Sequence, residues 1–338
     1  MKSAIVPTVV GAALSLTVAS ASATTLEDVQ AKGFVQCGVN TGLLGFASPD
    51  DAGNWTGFDV DFCRAVAAAI FNDVDAVRYT PLSAKDRFTA LQSGEIDLLS
   101  RNTTWTMSRD TSLGLAFGVV TYYDGQGFMV RKDDGITSAL ELSGAAVCVQ
   151  TGTTTELNLA DYFTRNNMDL NPVVFEKLDE AIAAYDSGRC DAWTTDASGL
   201  YSTRLVLANP DDHIVLPEVI SKEPLGPVVR QGDEEWFNIM KWVGFALLNA
   251  EELGITSANV DAMMNDANPQ VRRLLGADGS FGESIGLGND WAANAVKAVG
   301  NYGEIFDRTI GADSTLQIAR GLNALWVNGG IQYAPPIR

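Results

Sequence analysis

The chain has 338 residues, 46% of them hydrophobic, which is enough for two folded domains at the usual size of about 100–200 residues each. Its 42 acidic residues outnumber its 23 basic residues and give a formal net charge of −19. Such an excess of negative charge argues against nucleic acid or an anionic lipid surface as a partner.

The N-terminus predicts a secretory signal peptide. Met1-Lys2-Ser3 is a short basic start, residues 5–18 form an apolar run, and Ala21-Ser22-Ala23 offers small residues for cleavage. This run is too short for a membrane span, and no later segment has the roughly 18 uncharged apolar residues of a spanning helix. We therefore expect residues 1–23 to be removed and the remaining chain to be periplasmic, without being embedded in a membrane.

Cysteine usage fits an oxidising compartment. The chain has four cysteines, namely Cys37, Cys63, Cys148 and Cys190. An even number suggests disulfides, although four cysteines allow three pairings. Sequence spacing favours Cys37–Cys63 and Cys148–Cys190. There is no CxxC pair, so a zinc ribbon or a thioredoxin-like redox site is not expected.

The predicted elements, in chain order, alternate between strands and helices in two stretches. The first stretch has strands over 34–39, 77–79 and 96–99, with helices over 62–71 and 87–92. The second has strands over 145–149, 173–175 and 191–193, with helices over 157–163 and 179–185. This alternation indicates two α/β lobes with largely parallel sheets. Residues 121–126 and 221–227 are candidate crossings between the lobes, and residues 234–338 are mostly helical by pattern.

A candidate anion site follows the strand over 96–99. Residues 101–109 bring an arginine, an amide and hydroxyls together on a predicted strand-to-helix turn. The planar guanidinium of Arg109 can grip a carboxylate through two parallel hydrogen bonds, and threonine hydroxyls can complete the site. Asp59 and Asp61 precede a helix, and we expect them to act as helix caps.

Five motifs in a fixed order resemble the polar amino acid family of periplasmic solute-binding proteins, which feed ABC importers. They are Gly57-Phe58-Asp59-Val60-Asp61 and residues 91–97, 103–109, 151–154 and 191–196. The greatest similarity is to general or acidic and amide L-amino-acid binding proteins, over roughly residues 30–250.

The resemblance implies a type II α/β fold of two lobes, joined by two crossover strands, with the ligand in the cleft. Lobe one would comprise residues 24–122 and 225–338, the latter with a helical C-terminal extension. Lobe two would comprise residues 123–224. It also implies a monomer that docks on an inner-membrane ABC permease. The extension would either cover lobe one or contribute to docking or self-association.

The family's ligand-binding residues carry over onto matching positions. Four residues would bind the carboxylate of an L-amino acid: Arg109, Thr104, Thr153 and Thr154. Asp196 would pair with the ammonium group, helped by the carbonyl of Asn102. The plainer alternatives are that Asp196 caps a helix and that Thr153 and Thr154 are ordinary N-terminal helix residues.

Selection of the side chain would fall to a second group of residues. Arg87 matches an arginine of glutamate and aspartate binders, although a helix-surface arginine is the alternative. Gln150 offers a donor and an acceptor, and Thr195 adds a hydroxyl. Asn40 stands in a loop where binders of cationic side chains commonly place an aspartate. The expected ligands are therefore glutamate, glutamine, aspartate and asparagine, within a set that is broad.

No motif points to a metal, a cofactor or a catalytic triad. The only histidine, His213, has a polar setting that predicts a surface position. An exported cyclohexadienyl (prephenate or arogenate) dehydratase on the same fold is the enzymatic alternative, with Glu156 and Glu180 as conceivable proton donors. A sensor that presents ligand without transport is the third alternative.

Overall fold

The computed structural model describes residues 23–338. The predicted signal peptide lies outside the described residues, except for Ala23. Strands are β1 (Val35–Asn40), β2 (Ser48–Pro49), β3 (Trp55–Thr56), β4 (Val77–Leu82), β5 (Leu98–Leu99), β6 (Leu115–Phe117), β7 (Tyr122–Asp124), β8 (Gln126–Arg131), β9 (Ala146–Gln150), β10 (Asn171–Phe175), β11 (Ala192–Asp196), β12 (His213–Val215), β13 (Glu223–Leu225) and β14 (Val228–Arg230). Helices are α1 (Thr25–Lys32), α2 (Phe58–Phe71), α3 (Arg87–Ser93), α4 (Met107–Ser112), α5 (Thr154–Arg165), α6 (Leu178–Asp186), α7 (Ala197–Val206), α8 (Glu234–Glu252), α9 (Val260–Met263), α10 (Pro269–Leu274), α11 (Trp291–Val299) and α12 (Tyr302–Thr309).

Two five-stranded sheets share one plan. The sheet of lobe one has the order β4-β1-β5-β14-β6, and the sheet of lobe two has the order β10-β9-β11-β8-β12. In each sheet the second strand pairs in parallel with both neighbours, and the fourth strand runs antiparallel to the strands beside it. The predicted α/β architecture of two lobes is therefore confirmed.

Two short strands connect the lobes. β7 and β13 pair in an antiparallel ribbon, with Tyr122 opposite Leu225 and Asp124 opposite Glu223. They lie within the two stretches predicted as crossings. The division of the chain after residues 122 and 224 stays a prediction.

Both disulfides favoured by sequence spacing are formed. Cys37 in β1 joins Cys63 in α2, and Cys148 in β9 joins Cys190, which lies just before β11. Each bond therefore ties a central strand to a neighbouring element of its own lobe.

The N-terminus of α2 corrects one prediction. Its N-cap is Gly57, with φ +132° and no capping side chain, and a Cβ there would meet the Phe46 carbonyl oxygen at 2.3 Å. Asp59 instead accepts hydrogen bonds from the Asn102 backbone N–H (2.8 Å) and the Ser100 hydroxyl (3.3 Å). Asp61 pairs with Arg64 and Arg308. The prediction that Asp59 and Asp61 cap this helix was wrong.

The prediction for His213 was also wrong. His213 opens β12, is buried, and its Nδ1 hydrogen bonds to the Tyr185 hydroxyl at 2.8 Å. Burial lowers the pKa of His213, so the ring is neutral at pH 7.

The C-terminal residues cover lobe one and reach the crossover. Helices α8, α11 and α12 pack against α2. Beyond them, the buried Asn323 side chain accepts from the Tyr123 N–H (2.7 Å) and donates to the Tyr123 carbonyl (3.1 Å). Gln332 and Tyr302 donate to the Thr121 carbonyl. The extension thus satisfies backbone groups of the first crossing that would otherwise be buried without partners. Within residues 23–338, no helix is long and apolar enough to span a membrane.

Candidate functional site

A small cavity of about 30 Å³ lies between the lobes, where strands of both sheets end. Asn40 is the last residue of β1, Gln150 the last of β9 and Asp196 the last of β11. Ligands of open α/β sheets bind outside the carboxyl ends of the strands, because loops and helix N-termini converge there. The topology therefore selects the same edge that the sequence motifs selected.

The structure brings nine of the ten predicted ligand-binding residues to this cavity. They are Asn40, Arg87, Asn102, Thr104, Gln150, Thr153, Thr154, Thr195 and Asp196. Arg109 lies behind Thr104: its Nη1 donates to the Thr104 carbonyl at 2.8 Å, and its guanidinium lies over the Phe88 ring at 5.0 Å. The ligand-binding roles of all ten stay predictions.

Arg101 also lines the cavity, and the sequence reasoning missed its role. Its side chain is buried, and its Nε donates to the Leu82 carbonyl at 3.0 Å. The signal was its place just after β5, since the residue after a central parallel strand points into the crevice.

Three buried guanidinium groups lie here without a salt bridge to any described residue. Among the described residues, Arg87, Arg101 and Arg109 form no salt bridge within 4.0 Å. Arg87 donates only two long hydrogen bonds, to Thr103 Oγ1 (3.4 Å) and the Gly152 carbonyl (3.5 Å), and its Nε has no partner among these residues. Burial lowers the pKa of Arg101 and of Arg109 to about 10 and that of Arg87 well below its usual value. Cations buried without anions are costly, and a bound anion would relieve that cost.

The opposite charge comes from Asp196. Burial, followed by the nearby Asp124 and Glu223, raises the pKa of Asp196 well above its usual value. Asp196 precedes α7, but its side chain makes no capping hydrogen bond. Its carboxylate is therefore available to bind a cationic group in the cavity. The alternative that Asp196 caps α7 through its side chain is wrong.

The two threonines at the start of α5 differ. Thr153 is the N-cap of the helix and accepts from the Glu156 N–H at 3.1 Å, as the plainer alternative expected. The hydroxyl of Thr154 instead reaches across the cleft to the Thr104 hydroxyl at 3.2 Å. Thr154 is thus the residue of the pair that joins the lobes.

Glu223, which the sequence reasoning did not single out, links these hydroxyls. Its buried carboxylate accepts from Thr104 (2.6 Å), Thr154 (2.8 Å), Asn158 (2.7 Å) and Ser221 (2.6 Å). A carboxylate with four donors from both lobes and the crossover fixes the closed arrangement of the cleft.

No group of three His, Cys, Asp or Glu side chains in the described part of the chain is arranged to hold a metal ion. The cavity offers guanidinium, hydroxyl, amide and carboxylate groups, which suit a small molecule carrying both charges.

Two lobes of one sheet plan, joined by two crossover strands around a charged cleft, define a type II periplasmic binding protein fold. The chain belongs to the bacterial extracellular solute-binding proteins, family 3, whose family model matches residues 35–266. The family predicted from the motifs is therefore confirmed, and its members act outside the cytoplasm.

Known relatives match nearly the whole chain. The general L-amino acid-binding periplasmic protein AapJ of Rhizobium johnstonii is 68% identical, with 100% of both chains covered. The glutamate/glutamine/aspartate/asparagine-binding protein BztA of Rhodobacter capsulatus is 55% identical, with 96% of each chain covered. A structure of an ABC transporter periplasmic binding protein from Brucella ovis, with glutathione bound, is 65% identical with a TM-score of 0.92, covering 94% of this chain and 100% of that one.

Proposed function

We propose that the protein captures L-amino acids outside the cytoplasm by closing its lobes on them and delivers them to an ABC importer. Glutamate, glutamine, aspartate and asparagine are the principal ligands. The observation that carries this proposal is a cavity lined by the buried side chains of Arg87, Arg101 and Asp196, which form no salt bridge among the described residues. The names of AapJ and BztA support the same ligand class.

A zwitterion satisfies this arrangement because each of its charges needs a partner once water is excluded. We assign the α-carboxylate to Arg109 and Thr104, with Thr154 closing from lobe two. This requires Arg109 to turn from the Thr104 carbonyl toward the cavity, and the two hydroxyls to exchange Glu223 for the ligand. The α-ammonium goes to Asp196 and to the Asn102 carbonyl. Ligand contacts then favour the closed state over the open one, which is the requirement for ligand-driven closure.

The ligand's side chain would lie toward Arg87 and Gln150. The unpartnered Nε of Arg87 suits a side-chain carboxylate, and the Gln150 amide suits a side-chain amide. A cavity that offers both groups is expected to accept acids and amides alike.

A larger ligand is the second candidate. The Brucella ovis relative with glutathione bound is 65% identical to this chain, which favours a cleft that also takes a short peptide containing a glutamyl group.

The dehydratase alternative finds little support. The Glu156 carboxylate accepts hydrogen bonds from the Thr151 hydroxyl (3.0 Å) and the Gly152 N–H (3.1 Å). Glu180 is exposed and pairs with Lys177. Neither lines the cavity. Asp196 is the one carboxyl group among the described residues that does, and it has the raised pKa that a proton donor needs, so a test of function must include prephenate.

Calorimetric titration of the mature protein, unfolded and refolded to strip bound ligand, tests the proposal. The ligands are the twenty L-amino acids, glutathione and prephenate. Binding of glutamate, glutamine, aspartate or asparagine with no product formed is the expected result. No binding of any amino acid, or conversion of prephenate, would contradict it.

A further inference from the structure

The cavity lies next to a second space between the lobes. Gln150 and Leu178 line both the cavity and this neighbouring groove, which has a volume of about 630 Å³. Lobe one contributes Thr41, Gly42 and Ser83 to this outer groove, and lobe two contributes the rest of its wall. A ligand bound in the cavity that extends past Gln150 and Leu178 would therefore enter this groove and still lie between the lobes.

The two spaces differ in chemistry. The cavity holds the buried charges of Arg87, Arg101 and Asp196. The outer groove has an apolar wall that includes Ile182 and Val206, and its charged residues, Lys177, Asp179 and Asp186, are exposed. Because desolvated charges need the buried partners, both α-charged groups of an amino acid belong in the cavity. Only the ligand's side chain is then left to carry an extension into the groove.

The junction between the spaces favours an amide. Gln150 Nε2 donates to the Glu176 carbonyl at 3.0 Å, which fixes the orientation of the side-chain amide. Its Oε1 receives no hydrogen bond from any residue that the structure describes, so it is left as an acceptor at the boundary between the cavity and the groove. An amide N–H in the extended ligand would satisfy it.

We propose that the outer groove is a second binding subsite, which takes the amide-linked substituent of γ-glutamyl peptides while their glutamyl end occupies the cavity. This inference rests on the proposed function and assigns the position of the extension. Ile182 and Val206 contact the carbon chain of the substituent, and its terminal carboxylate stays in water at the exposed rim of the groove.

The probe is γ-glutamylglycine, compared with free glutamate by calorimetry on the refolded protein. Ala183 lines the groove on α6, is exposed, and does not line the cavity. Ala183→Phe should fill the groove and weaken γ-glutamylglycine binding at least about tenfold, while glutamate affinity stays within about twofold. Ala183→Ser is the matched control and should bind both ligands as the wild type does.

The outcomes separate this inference from the proposed function. Wild-type protein that binds glutamate but not γ-glutamylglycine overturns the subsite alone. Equal losses for both ligands in Ala183→Phe, or no loss for either, also overturn it. A wild type that binds neither glutamate nor any other amino acid removes the proposed function itself.

Discussion

Lobe one and lobe two build the same sheet but bring different chemistry to the cleft. The strand ends and helices of lobe one supply the buried cations Arg87, Arg101 and Arg109, whereas lobe two supplies the carboxylate Asp196 and the start of α5. The backbone plan thus fixes where a residue stands, and the residue type fixes which charge it presents. A ligand that carries both charges is the one that both halves can bind at once.

The lobes also differ in their surroundings. Lobe one is covered by α8, α11 and α12, and the tail beyond α12 hydrogen bonds to the first crossing. Lobe two has no comparable addition among residues 123–224, since its own helices complete it. We therefore expect lobe one to be the fixed frame and lobe two the part that moves on closure.

Removal of the disulfides tests how alike the two lobes are. One variant replaces Cys37 and Cys63 with serine, and a second replaces Cys148 and Cys190. Each variant should lower the free energy of unfolding by about 3–4 kcal/mol, because each disulfide restricts the unfolded chain. The sequence separations of 26 and 42 residues predict similar costs. Guanidinium-induced unfolding measures them. A cost below about 1 kcal/mol for one pair would break the parallel between the lobes.

Asp196→Asn tests the anionic half of the cleft. Loss of a buried partner for the ligand's ammonium should cost about 3 kcal/mol, or roughly 100-fold in amino-acid affinity by calorimetry. Asp211→Asn, at an exposed position, is the control. Affinity within about threefold of wild type would remove Asp196 from the site.

The same residue predicts a pH dependence. The pKa of Asp196 is raised in the ligand-free protein, chiefly by burial, whereas an ammonium partner favours the ionised form. Binding should therefore release a proton, and affinity should fall on acidification, beginning above the ordinary aspartate pKa of 3.8. Titrations in buffers of different ionisation enthalpy measure the proton, and Asp196→Asn should abolish its release.

Asn323→Ala tests whether the hydrogen bonds between the C-terminal extension and the first crossover strand stabilise the protein. The variant leaves the N–H and carbonyl of Tyr123 without these partners, so the free energy of unfolding should fall by about 2 kcal/mol. Asn328→Ala, nearby and exposed, should have almost no effect. Equal behaviour of the two variants would mean that the extension only covers lobe one.

Arg87→Met tests whether Arg87 binds the ligand's side-chain carboxylate while another cation of lobe one binds the α-carboxylate. Glutamate affinity should fall about tenfold, while glutamine affinity changes less than about threefold, because only glutamate carries the second carboxylate. Arg78→Met, at an exposed position, is the control. Equal losses for both amino acids would assign Arg87 to the α-carboxylate instead.

Lys85→Ala should have the smallest effect. Lys85 pairs with Glu176 across the cleft at 3.3 Å, but both side chains are more than half exposed, at 57% and 54%. Exposed pairs contribute about 0–1 kcal/mol, so affinity should change by no more than about fivefold. A larger loss would show that surface contacts between the lobes drive closure.

Much of the site could be read from the sequence because its residues lie close to elements with clear patterns. Asn40, Gln150 and Asp196 end strands, and Thr154 begins a helix, so motif position and fold position coincide. Arg101 was missed although its place just after β5 was a usable signal, and Glu223 was missed because nothing in its local pattern distinguishes it from a surface residue. His213 was placed on the surface for the same reason: neighbouring aspartates look like a loop, while pairing between β12 and β8 buries it.

By itself, the sequence determined the lobes' strand and helix order, the family and most residues of the cleft, because hydrophobic periodicity and short motifs are local signals. Only the tertiary structure decided that three arginines converge without carboxylate partners, that Glu223 joins both lobes, and that the C-terminal tail reaches the crossover. Each of these depends on contacts between residues that are distant in sequence. Burial at those contacts then sets the free-energy cost of keeping the ionisable side chains charged.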